Sequence, residues 1–395
     1  MLISNARVVT RDDVFIGTVQ IDGESIRAVS RGTTAARDAD DWGGDYLLPG
    51  LVELHTDNLE KHLAPRPGVY WNVDAAFVTH DAQVAAAGIT TVFDALAIGT
   101  RLNVGVRGRD VQTQCADALA RFASHGLLRA EHFLHLRCEI ATEDVVDVFD
   151  SLARHPRLRL ASVMDHTPGQ RQWKDPQQWR HYQERHRKWS DEEAATTIAE
   201  LADEQQRYAD AHRRAIVARC RALGVPVASH DDTIVARCRA LGVPVASHDD
   251  TVIEHVEQAA REGIALAEFP TTHAAAEAAR ARGIATVMGA PNLVRGGSHS
   301  GNVSALALAR AGLLDILSSD YVPSSLLCAA FDLVHQAHWS LPRAIDTVSG
   351  SPARHTGLRD RGEIAPGLRA DFVRVALHGT LPVPRATYVR GRRVV

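Results

Sequence analysis

At 395 residues, 45% hydrophobic and 23% charged, the chain has the make-up of a globular protein long enough for a barrel of about 250 residues plus a smaller unit. A formal net charge of −4 excludes general attraction to phosphate backbones, so nucleic acid is not an expected partner. Five cysteines without a CxxC pair (Cys115, Cys138, Cys220, Cys238, Cys328) fit reduced thiols, and no apolar run reaches the roughly 18 residues of a membrane span, so a cytoplasmic protein without a membrane partner is expected.

Residues 1–48 read as short strands, with VQID and SIRAVS flanking a Gly23-Glu24 turn. From 49 to 360 the pattern changes to short apolar runs alternating with Ala-rich segments of helical length, the mark of βα units around a parallel sheet. The runs are GLVELHTD, TTVFDAL, FLHLRCE, LASVMDH, VPVASHDD, ALAEFP, ATVMGAPN and DILSSD, and eight closes a barrel. The predicted class is therefore α/β, a (β/α)8 TIM barrel. Residues 361–395 return to strands, ADFVRVAL and ATYVRGRRVV around a Pro-containing turn, and with 1–48 they predict one small composite β-sandwich domain.

Nearly every barrel run ends in a polar residue, where barrel enzymes keep their chemistry. His55 and Asp57 stand two apart at the first strand end, on one side of the strand, and can grip a single cation. The loop that follows carries Lys61 and Arg66. Glu139 ends the third run with His135 and Arg137 on the same face, and its two oxygens can serve two ions. His166 and His248 end the fourth and fifth runs, and Asp320 ends the eighth, beside the first when the barrel shuts. Singly, each has an ordinary alternative as a solvated acid or a structural histidine. Their joint placement at five strand ends points to a centre for two divalent ions, Zn²⁺ first, with Mn²⁺ or Fe²⁺ open, and to hydrolysis with Asp320 taking the proton of water and Glu139 as the second catalytic carboxylate.

The segment 171–189 is basic and holds three of the six tryptophans; it reads as a lid, a solvated helical face or a subunit contact within a homo-oligomer. IVARCRALGVPVASHDDT occurs at 216–233 and again at 234–251. Two copies cannot make a solenoid and the barrel has one slot, so one copy is an excursion. The second copy is preferred for the slot, because the first then lies at the tolerant face away from the catalytic loops, which places His248 ahead of His230. After the seventh run, GAPNLVRGGSHSGN offers backbone N–H groups with Asn292, Arg295, Ser298 and His299 for an anion. The plain alternative is a Gly-rich turn.

The PG-hydrophobic-E-x-H-x-D first strand, the later strand-end histidines and the final-strand Asp resemble the amidohydrolase superfamily over the whole chain. Most members carry HxH where this chain has His55-Thr56-Asp57, and many bridge their metals with a carboxylated lysine, for which Glu139 looks like the substitute. HTDNLEKH (55–62), SHDDT (247–251), EFPTT (268–272), GAPNLVRGGSHSGN (289–302) and LLDILSSDYVPSSLL (313–327) resemble the branch acting in phosphonate catabolism by the carbon–phosphorus lyase route. That likeness implies a small-molecule substrate, a methylphosphonate-bearing ribose 5-triphosphate, cleaved to the 5-phosphate and pyrophosphate. The alternatives are hydrolysis of a C–N bond, as in a cyclic amidase or deacetylase, and a non-catalytic barrel within a phosphonate-processing complex.

Overall fold

The computed structural model describes residues 1–99, 105–184, 190–223, 246–298 and 301–395. β1 (Leu2–Val9), β2 (Val14–Asp22) and β3 (Ser25–Arg31) form an antiparallel meander. The β2–β3 hairpin turns on Gly23, whose φ of 56° lies in the left-handed region that favours glycine. β4 (Ala39–Asp41) and β5 (Tyr46–Pro49) then pair with β1 in parallel.

The next eight strands form one parallel sheet. β6 (Leu51–Thr56) is followed by α1 (Asn58–Leu63) and α2 (Val73–Ala86), and β7 (Ile89–Ile98) by α3 (Arg109–Ser124). β8 (Glu131–Glu139) leads to α4 (Val145–Leu152), and β9 (Leu158–Met164) to α5 (Pro176–Gln183) and the long α6 (Asp191–Leu223). β10 (Ala246–His248), β11 (Leu266–Glu268), β12 (Ala285–Gly289) and β13 (Ile316–Ser318) complete the sequential order. The ring shuts where Asp320 N donates to His55 O at 3.2 Å and Asp57 N donates to Asp320 O at 3.3 Å.

All ten residues of β7 are buried, as expected of a strand covered on both faces. Inside the barrel, Phe93, Phe133, Leu160, Ala246, Leu266 and Ile316 belong to one apolar cluster. Side chains recur on the same face every second residue, so the next layer toward the C-terminal rim is Ala95, His135, Ser162, His248, Glu268 and Ser318. The barrel thus changes from apolar to polar within one step of its strands.

The duplicated segment divides between two elements. Ile216–Leu223 of the first copy continues α6, with Ile216 and Val217 buried, while Ala246–His248 of the second copy is β10, paired with β9 and β11. His230 lies outside the described residues.

β14 (Phe372–His378), β15 (Leu381–Val389) and β16 (Arg392–Arg393) return the chain to the first sheet, β14 pairing with β5 so that both ends share one sheet. The β14–β15 turn is made by Gly379-Thr380 rather than by proline. Pro382 and Pro384 lie within β15, in the stretch that β16 does not reach, and a missing N–H is harmless along an open strand edge.

Candidate active site

Glu268 sits at the centre of the polar layer, fully buried, with one oxygen 3.1 Å from His55 Nδ1 and the other 3.3 Å from His248 Nδ1. A carboxylate only accepts, so both imidazoles carry their proton on Nδ1 and present the Nε2 lone pair as a metal donor. The two rings stack 5.5 Å apart, with the Phe269 ring edge-on to each at 5.0 and 5.3 Å. Burial holds His55 below its ordinary pKa, which keeps it neutral as a ligand must be.

His135 closes within coordination distance of His55 and Glu268, yet both its nitrogens are engaged. Nδ1 donates to Leu54 O at 3.0 Å and Nε2 accepts from Ser162 Oγ at 2.9 Å. Burial pushes it down to about 3. It is a neutral strut between β6, β8 and β9.

The second group is His166, His248 and Asp249, whose donor atoms also lie within coordination distance of one another. His166 Nε2 and His248 Nε2 stand 3.6 and 3.5 Å from Asp249 Oδ2, and His166 Nδ1 faces Glu139 Oε2 at 2.7 Å. Burial disfavours the charged form of His166, but Glu139 and Asp249 outweigh it and push it up to about 9. A carboxylate crowd of this kind suits a cation.

Barrel closure brings Asp320 beside Asp57. Asp320 is pushed up to about 8, first by burial and then by the Asp57 charge. Glu53, fully buried below them, accepts from His55 N, Ser318 Oγ and Ser319 N, and burial lifts it to about 7. Arg137 projects from β8 into the same space, 3.8 Å from Asp57 Oδ2.

These side chains line one cleft of about 830 Å³, which holds His55, Asp57, Arg137, Glu139, His166, His248, Asp249 and Asp320. Six sequence-predicted ligands are therefore on one wall system. Asn292, Arg295 and Ser298 line it too, although both ends of the Asn292 amide bind backbone, at Val303 O and Ala305 N. Lys61 turns to Tyr321 O and Arg66 is exposed, and neither lines the cleft. His299 lies outside the described residues. Trp173 and Trp179, from the segment read as a lid, are buried and form part of the wall.

Sequence reasoning missed Glu268, Asp249 and Arg107. Glu268 stands within the sixth run, ALAEFP, and Asp249 follows His248 directly, so nearness to a strand end was the available signal for both. Arg107 reaches the cleft while paired to Glu60 of α1 at 2.9 Å, a contact that no local pattern announces. The residues fit divalent ions: imidazoles poised through Nδ1, and carboxylates too crowded for all to ionise without a counter-charge.

A parallel eight-stranded barrel with imidazoles and carboxylates gathered at the C-terminal rim is the layout of a barrel enzyme. No family model matches the chain. Dihydropyrimidinase from Brevibacillus agri NCHU1002 superposes with a TM-score of 0.59 at 17% identity, covering 100% of this chain and 94% of that one. 5-Methylcytosine deaminase from Klebsiella pneumoniae gives 0.62 at 13% identity, covering 100% and 98%. In sequence, the chain is 42% identical over 375 residues, 94% of each chain, to alpha-D-ribose 1-methylphosphonate 5-triphosphate diphosphatase of Escherichia coli (strain K12). The chain belongs to that diphosphatase family. It is a hydrolase of the phosphonate-related diphosphatase kind, and no described helix is long and apolar enough to cross a membrane.

Proposed function

We propose that this enzyme hydrolyses α-D-ribose 1-methylphosphonate 5-triphosphate to the 5-phosphate and pyrophosphate, a step of phosphonate catabolism. One observation carries the reading: in a chain matching such a diphosphatase over 94% of its length, His55, Asp57, Glu139, His166, His248 and Asp320 line one cleft. These six, with Asp249 beside them, would hold the divalent ions. When bound, such ions supply Lewis acidity and lower the pKa of water toward about 7.

The chain's own residues do the rest. Asp320, which lines the cleft beside Asp57 where the barrel closes, accepts the proton of the attacking water. Glu139 fixes His166, and Glu268 fixes His55 and His248, so the donor set is arranged before substrate arrives. Leaving pyrophosphate needs charge stabilisation more than a strong acid, which suits a cleft with Arg137 on its floor and Arg295 at its lip.

The test is turnover of the ribose triphosphate with and without a chelator, following both products and restoring activity with Zn²⁺, Mn²⁺ or Fe²⁺ in turn. Metal-dependent release of pyrophosphate with the 5-phosphate is expected. Release of ammonia or an amine from a cyclic amide, with the triphosphate untouched, would replace this reading by C–N hydrolysis.

A further inference from the structure

The cationic side chains around the cleft differ in how they are engaged. Arg171 gives Nη1 to His248 O at 2.9 Å and to Asp250 Oδ1 at 2.7 Å, Arg107 is forked on Glu60, and Lys61 is turned to Tyr321 O. Arg137 stands apart. It is only 7% exposed, yet its Nε and Nη1 have no hydrogen-bond partner among the described residues. Asp57 Oδ2, at 3.8 Å, is beyond hydrogen-bond range.

A buried guanidinium with unmet N–H groups is costly, because its desolvation is not offset. The surrounding strand is rigid, since β8 is paired along its length with β7 and β9, so Arg137 cannot be explained as a chance surface side chain. Its neighbours on the same face are His135 and Glu139, and it opens into the cleft between Asp57 and the second histidine group. An anion that enters the cleft would complete its hydrogen bonding with matching charge.

We propose that Arg137 is the floor subsite for phosphoryl oxygens, holding the reacting end of the polyphosphate beside Asp57 and Asp320 and then the pyrophosphate that leaves. The inference rests on the diphosphatase reading and adds which residue takes which end of the substrate. Guanidinium suits this task because it stays charged and presents fixed N–H groups, which a lysine ammonium at the same depth does not. The methylphosphonate end of the substrate is thereby assigned to the rest of the cleft, away from Arg137.

The experiment is titration calorimetry of the metal-loaded protein with inorganic pyrophosphate and, separately, with methylphosphonate, for wild type, Arg137→Lys and Arg137→Met. Metal content and thermal midpoint are measured on each. Loss of charge-assisted hydrogen bonds should weaken pyrophosphate binding by about 10- to 100-fold in Arg137→Met, with a smaller loss in Arg137→Lys. Methylphosphonate binding should be alike in all three. Metal content should be unchanged, and the thermal midpoint of ligand-free Arg137→Met should fall only modestly, since Asp57 Oδ2 loses a counter-charge at 3.8 Å. Undiminished pyrophosphate binding in Arg137→Met overturns the proposal, as does loss of metal or Arg137-dependence confined to methylphosphonate. Failure of the parent reading looks different: the wild type would bind pyrophosphate through Arg137 yet leave the ribose triphosphate uncleaved.

Discussion

Asp249, Phe269 and Asp320 each follow a barrel strand and each hold a left-handed backbone, with φ of 55°, 54° and 51°. Such conformations cost about 1–3 kcal/mol apiece for non-glycine residues and survive only where the surroundings impose them. Here they turn the chain at the rim so that all three residues face the cleft. Asp320→Asn keeps the side-chain shape and the turn but cannot take a proton; kcat should fall by about 10²- to 10⁴-fold with the thermal midpoint held. Near-normal kcat would remove Asp320 from the base role. Glu268→Gln tests the orienting layer, because an amide can present only one oxygen to two imidazole N–H groups. Metal affinity, read by competition with a chromophoric chelator, should drop by about 10- to 100-fold; an unshifted competition curve would show that the Glu268 contacts are incidental. The strand-end histidines and acids were legible in the sequence because an apolar run that stops on an ionisable residue is visible one strand at a time. Glu268 and Arg107 were less so: their meaning comes from partners 213 and 47 residues away.

At the scale of elements, the eight barrel strands were readable from alternating apolar runs and helical spacers, and β6 to β13 contain all eight. The turn before β15 was not, since proline signals both a turn and an unpaired strand edge, and only pairing with β16 separates the two. The same limit applies to the buried cluster of His80, Asp94 and His132, which lies within coordination distance but is closed by hydrogen bonds. His132 donates to Asp94 at 2.7 Å and to Asp81 at 3.2 Å, and His80 to Asp94 at 2.8 Å, which ties α2 to β7 and β8. The duplication offers a direct test of element-level reading. α6 uses the helical half of the first copy and β10 the strand half of the second, so deleting residues 224–241 joins the two with a single copy. Loop closure costs grow slowly with length, by about 0.6 kcal/mol per doubling. The shortened protein should fold, keep kcat within about twofold and melt slightly higher. Loss of activity on deletion would mean that the extra residues take part in the site, and calorimetry with a turnover assay decides it.

For the molecule as a whole, the joint between the terminal sheet and the barrel is electrostatic at its centre. Glu131, at the start of β8, receives Arg361 Nη1 at 2.5 Å and also Arg369 Nη1, while Arg157 and Arg390 stand at 3.7 and 3.6 Å. Arg361 and Arg369 also reach Thr91 Oγ1 of β7, and Arg369 is forked on Asp371 just before β14. Burial alone would raise the Glu131 carboxyl, but Arg361 and Arg369 hold it down to about 2. A carboxylate whose folded pKa lies below its unfolded value near 4.5 adds stability that is complete above that value and is lost as pH falls toward 2. The wild type should therefore lose stability between about pH 5 and 2, in part through this one group. Glu131→Gln removes the anion and leaves two guanidinium groups facing each other, which should cost about 3 kcal/mol at neutral pH. The variant should also lack that share of the acid dependence, so the two stability curves converge as pH falls. Denaturant titrations from pH 7 down to the acid limit measure this. Parallel curves would mean that apolar packing, with Val373 and Val375 of β14 set into the cluster that covers the barrel, holds the halves together without help from Glu131.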